Sequence, residues 1–140
     1  MSQSLYVFSQ ETKDTLRKFR LGTSRASKPQ AKIVQIDIKS QEIRLSSDKT
    51  YDSLIDISDD LPDSSPRFVL LSYPLTLPSG RLSVPYVMLY YLPVNCNPNM
   101  RMSYAGAVEV LRQQAEVQRV IEIKEAEEVE EIESKLRGED

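Results

Sequence analysis

The chain has 140 residues, of which 40% are hydrophobic and 28% charged, with a net charge of -3. That is enough chain to bury one core without staples. One cysteine, Cys96, and no histidine exclude an internal disulfide and a structural zinc site, and remove the commonest catalytic base.

In chain order, Ser9 is a plausible N-cap, and Thr12, Leu16 and Phe19 follow at helical spacing, so a first helix is expected over residues 10–21, ended by Gly22. Thr23 to Gln30 reads as a loop. Val34, Ile36 and Ile38, then Ile43 and Leu45 after a turn at Lys39-Ser40-Gln41, alternate with polar residues, which predicts a β-hairpin with one buried face. Tyr51 to Leu61 predicts a short helix with Leu54, Ile57 and Leu61 inward and Pro62 as its stop. Arg67–Tyr73 and Val84–Leu92 are nearly continuous apolar runs, suited to strands covered on both faces. Between them Leu75 to Ser83, with Pro78-Ser79-Gly80, forms a projecting turn.

Asn97-Pro98 reads as an N-cap followed by proline at the first helical position. The longest helix is expected over 98–116, with Tyr104, Val108, Leu111 and Ala115 on its buried face. Gln118 to Lys124 predicts a strand, and Glu125 to Arg137 a final helix with the stripe Ala126, Val129, Ile132 and Leu136. The order α-β-β-α-β-β-α-β-α gives an α+β fold, one domain over 1–140, with helices on both faces of a mixed sheet of about five strands.

No apolar run approaches a membrane span, and Met1-Ser2-Gln3-Ser4 lacks the basic-then-apolar pattern of a secretory signal, so an intracellular protein without membrane association is expected. The four glycines are scattered, so no phosphate-cradling loop exists, and no G-x-S-x-G elbow is present. Paired acids such as Asp59-Asp60 are solvated surface groups on this reading. The expectation is a binding protein without cofactor or metal, not an enzyme.

Charge is unevenly spread. From Lys13 to Lys32 seven basic residues face one acid, Asp14, while from Glu122 onward acids dominate. The basic stretch reads as a solvated helix face or a footprint for an acidic protein. Nucleic acid is disfavoured, because Phe19 is needed for the apolar face and the chain is acidic overall. Met100-Arg101-Met102 opens the longest helix. The methionines either fill gaps in the core or form an adaptable knob with a cationic rim, suited to a hydrophobic cleft.

Nearly the whole chain resembles the actin-depolymerising factor/cofilin homology family, and within it the glia maturation factor branch. The resemblance rests on LRKFR at Leu16–Arg20, PRFVLLSY at Pro66–Tyr73, SGRLSVP at Ser79–Pro85 and PVNCNPNMRMSYAG at Pro93–Gly106. Met-x-Tyr-Ala is shared with cofilins, whereas Leu-Arg-Lys-Phe-Arg and Asn-Cys-Asn-Pro are specific to the branch. The resemblance implies a monomer that binds the actin-related protein 2/3 complex, promotes dissociation of branched filaments and inhibits new branching. It implies that Met100, Arg101, Met102 and Ala107 enter the groove of actin-related protein 2, with the N-terminal tail Ser2, Gln3, Ser4 and Leu5 alongside. A second surface, Leu77, Ser79, Gly80 and Arg81 with Glu131, Lys135 and Arg137, would meet the first actin of the daughter filament.

Ser2 matches the position of a regulatory phosphoserine in relatives, where added negative charge would oppose docking. The family commonly has a small residue then lysine after Tyr-Ala-Gly; Ala107-Val108 stands here, so weak or no binding to free actin is expected. The implied address is the cytoplasm, at cortical actin patches, with the nucleus left open. A conventional filament-severing cofilin and a general acidic adaptor are the competing readings.

Overall fold

A computed structural model describes residues 5–23 and 27–137. Its strands are β1 (Gln30–Asp37), β2 (Glu42–Leu45), β3 (Arg67–Ser72), β4 (Leu75–Thr76), β5 (Leu82–Ser83), β6 (Tyr86–Tyr91) and β7 (Arg119–Ile123). Its helices are α1 (Gln10–Thr23), α2 (Leu54–Asp60), α3 (Pro98–Ala115) and α4 (Ile132–Leu136), with a 3₁₀ segment Ala126–Glu131 before the last.

Five strands form one sheet in the order β2-β1-β3-β6-β7. The first three pairings are antiparallel and β6–β7 is parallel. A parallel pair needs a crossover, and α3 supplies it. Successive side chains of a strand point to opposite faces. Phe68, Leu70, Met88 and Tyr90 therefore meet α1 and α3 through Leu16, Phe19, Tyr104, Ala107, Leu111 and Ala115. Val69, Leu71, Val87, Leu89 and Tyr91 meet the other layer through Ile57, Val129, Ile132 and Leu136. The expected mixed sheet with helices on both faces is what forms. Charge is unequal across the sheet: exposed Lys13, Arg17 and Lys18 outnumber Glu11 and Asp14 on α1, and exposed Glu127, Glu130 and Glu131 lie on the opposite layer.

Several local expectations change. α1 runs one residue past Gly22 to Thr23, whose hydroxyl donates to the Arg20 carbonyl at 3.4 Å. β1 begins at Gln30 and is buried on both faces over Ala31–Val34, so the hairpin does not have a single wet face. Lys32 takes part in that burial because its amine reaches the Asp48 carbonyl at 3.2 Å. Tyr51 is not helical; it exchanges two backbone bonds with Ala31, at 2.8 and 2.9 Å, and α2 starts three residues later. The final helix is 3₁₀ until Glu131. Glu125 and Glu128 close a reciprocal capping box around it, and tight i→i+3 turns follow.

Tyr104 ties the layers together. In β1 the backbone of Gln35 and Asp37 bonds toward β2, so the Ile36 N–H points to the β3 side, where the register places Pro66 just before β3 begins. Pro66 lies outside the strand, and its carbonyl accepts from Arg67 Nη1 at 2.7 Å. The Tyr104 hydroxyl, carried in from α3, accepts that N–H at 2.9 Å, while its ring packs 5.4 Å from Phe68. A buried backbone donor is thereby paired.

Candidate partner-docking surface

α3 starts where the sequence places it. The Asn97 side chain accepts from the Met100 N–H at 2.9 Å, and Pro98 occupies the first turn, where its missing N–H costs nothing. Each helical residue turns by about 100°. With Tyr104, Ala107, Leu111 and Ala115 buried, Met102 falls opposite the core, and it is 74% exposed. Met100, two residues earlier, falls toward the core side and is half-buried. The two methionines thus differ: Met100 is half-buried and Met102 projects.

Arg101 sits on the flank of the ridge and is half-buried. Its Nη2 donates to the carbonyls of Val94, at 3.1 Å, and Pro93, at 3.4 Å. Ala107 is a correction to the implied set. It is 0% exposed, because α3 lies on the sheet through residues spaced three and four apart and a small side chain there lets the helix approach closely. Val108 is half-buried against the same core.

Of the N-terminal tail, Ser2, Gln3 and Ser4 lie outside the described residues, and Leu5 is 79% exposed. The following segment is clasped to the fold. Val7 bonds to the β2 edge, giving its N–H to Gln41 and accepting from Ile43, at 3.1 and 2.9 Å. Tyr6 Oη donates to the Ser103 carbonyl of α3 at 2.7 Å. Gly106 makes room for that ring: a Cβ at this position would stand 2.5 Å from Tyr6 Oη. A groove of about 720 Å³ remains between this segment, α1 and α3, lined in part by Tyr6, Phe8, Lys13 and Val110.

The second implied surface is assembled by hydrogen bonds. β4 and β5 form a separate two-stranded ribbon whose tip carries half-buried Leu77 and exposed Ser79, Gly80 and Arg81. Gly80 has φ +87°, a conformation glycine adopts without a Cβ penalty. Arg137 Nη1 donates to the Thr76 carbonyl at 2.9 Å, and its Nε and Nη2 hold Glu133 at 3.0 and 2.9 Å. Arg137 is therefore a strut between α4 and the ribbon. Glu131 is exposed, and Lys135 is paired loosely with Glu128 at 4.0 Å.

Tyr73 Oη donates to Glu133 at 2.7 Å. That bond, and then the Arg137 guanidinium, hold the Glu133 carboxyl below the ordinary carboxylate value, while burial followed by Glu133 pushes the Tyr73 phenol up to about 12. A depressed folded pKa gives stability that is full above the unfolded value of 4.5 and is lost as pH falls through the folded pKa. Tyr73→Phe should raise the Glu133 pKa toward 4.5, read by NMR titration of its carboxyl carbon. An unchanged titration would mean that the hydroxyl bond does not form in solution.

No group of three or more His, Cys, Asp or Glu able to hold a metal exists among the described residues, and no helix is long and apolar enough to cross a membrane. Val94 and Tyr6, each bonded to the first half of α3, are neighbours of that helix that the sequence did not signal. Val94 follows no periodicity, and the Tyr6–Ser103 contact spans 97 residues.

The sequence family described as cofilin/tropomyosin-type actin-binding protein matches residues 6–137. Human glia maturation factor beta is 34% identical over 131 residues, 92% of this chain and 91% of that protein. Protein AIM7 of Saccharomyces cerevisiae is 33% identical over 127 residues, 86% of this chain and 85% of that protein. The solution structure of glia maturation factor from Caenorhabditis elegans matches with a TM-score of 0.77 and 29% identity, covering 96% of this chain and 98% of the other. Plasmodium berghei actin depolymerization factor 2 shares the fold at a TM-score of 0.79 and 17% identity, covering 99% of each chain.

Proposed function

The chain belongs to the actin-depolymerising factor/cofilin family, in its glia maturation factor branch, and we propose that it acts by binding the actin-related protein 2/3 complex at branched actin filaments. Met102 carries the reading, as a large apolar side chain held in solvent at the crest of a capped, rigid helix. Such a side chain gains by entering an apolar groove, and a fixed helix loses little freedom in doing so. The partner groove is that of actin-related protein 2.

No bond-making is required. A ligand that binds the separated state better than the branched one shifts the equilibrium toward separation. Occupying the groove dissociates existing branches and blocks the nucleation of new ones. The β4–β5 ribbon and α4, joined by Arg137, meet the first actin of the daughter filament. Ser2, in the tail that precedes Leu5, is the residue at which added phosphate would oppose docking. The protein acts as a non-enzymatic monomer in the cytoplasm, at cortical branched networks, and binds free actin weakly or not at all.

A branch-disassembly assay with purified components tests this. The native protein should speed branch loss, and Met102→Ser should weaken binding to the complex about tenfold while folding normally. Undiminished debranching by Met102→Ser would overturn the proposed face. Strong co-sedimentation with filaments lacking the complex would instead support a cofilin-like severing protein.

A further inference from the structure

Three of the large apolar side chains left in solvent lie on the first half of α3 or on segments bonded to it. Met102 forms the crest. Leu5 stands to one side, carried by Tyr6, whose hydroxyl is fastened to Ser103 and whose ring lies against Gly106. On the helical wheel Ser103 and Gly106 occupy one flank of Met102 and Arg101 the other. The Arg101 flank carries the loop before the helix, residues 93–97. Pro93 and Cys96 are buried and anchor that loop, while Val94 between them is 74% exposed. Its carbonyl, with that of Pro93, receives the Arg101 guanidinium.

We propose that Val94 is a third apolar contact of the docking surface, and that Arg101 serves this surface by positioning the Val94 loop, not by presenting its charge to the partner. The inference rests on the reading of α3 as the docking helix, and its occupant is the same actin-like groove of the complex. Two observations support it. Val94 is exposed on the loop bonded to Arg101, the residue next to Met102, and so adds apolar surface beside the ridge. Arg101 already spends Nη2 on two carbonyls of the chain itself. Both bonds come from Nη2, whose direction the rigid guanidinium plane fixes, and a lysine ammonium on a flexible stem is a poor substitute although it carries the same charge.

Binding to the purified actin-related protein 2/3 complex is measured for Val94→Ser, Arg101→Lys, Arg101→Ala and Met102→Ser, with thermal melts establishing that each variant folds. Val94→Ser is expected to weaken binding about five- to tenfold, as loss of a central apolar contact does. Arg101→Lys should fall with Arg101→Ala and not with the native protein, and amide exchange at Asn95 and Cys96 should quicken in both. Loss in Met102→Ser with native binding in Val94→Ser would overturn the inference and leave the docking helix standing. Native affinity in Arg101→Lys would overturn the positioning role in favour of charge. If none of the four variants weakens binding, the docking helix and the inference fall together.

Discussion

Leu111→Ala should lower the free energy of unfolding by about 2–5 kcal/mol, the range for removing a buried leucine when its surroundings relax only in part. Leu111 is fully buried where α3 crosses the sheet, in the cluster that contains Phe68, Leu70 and Met88. Urea or guanidinium unfolding would read the loss as a lower midpoint at unchanged slope. Its binding to the complex, measured where the variant remains folded, should stay native, since the ridge that carries Met102 is the opposite side of the same helix. A variant as stable as the native protein would contradict the placement of α3 on the sheet.

Tyr104→Phe removes a single oxygen and should destabilise the fold by about 1–3 kcal/mol. The ring stays, so its packing against Phe68 is retained. What is lost is the acceptor for the Ile36 N–H. Pro66, opposite that position in the register, gives its carbonyl to Arg67 Nη1, and an unpaired buried donor carries its full desolvation cost. Amide exchange at Ile36 should accelerate more than at Val34, which lies within the β1–β3 register. Equal stability, or protection of Ile36 that survives the change, would show that another acceptor reaches it.

The legible parts of the chain were those where one local rule decides. Asn97-Pro98 fixes the start of α3, and the two apolar runs fix β3 and β6, because capping and double-sided burial leave direct marks in sequence. Hydrophobicity alone chose Val108 over Ala107 for the centre of the buried face. The helix geometry favours Ala107, since close approach of α3 to the sheet needs a small side chain and leaves Val108 at the margin. Lys32 hid the two-sided burial of β1, because a lysine normally marks a wet face and here its amine finds a carbonyl. The 3₁₀ segment was hidden because Val129 and Ile132 lie three apart, a spacing common to both helix types.

The docking surface was half legible. Met-Arg-Met announced a feature, but only the fold divides it into a half-buried Met100, a projecting Met102 and an Arg101 bonded to its own chain. Contacts such as Tyr6 to Ser103, and the space Gly106 leaves for them, join segments far apart in sequence and carry no local period.

On α1 exposed Lys13, Arg17 and Lys18 outnumber Glu11 and Asp14, while exposed Glu127, Glu130 and Glu131 crowd the opposite layer, so the molecule carries unequal charge on its two sides. In the field of an anionic surface it feels a torque before any contact forms. The α1–α3 side turns to lead, and Met102 rides on that side. More collisions then begin in a usable orientation, and dissolved ions erode the benefit by slowing arrival while departure stays nearly constant.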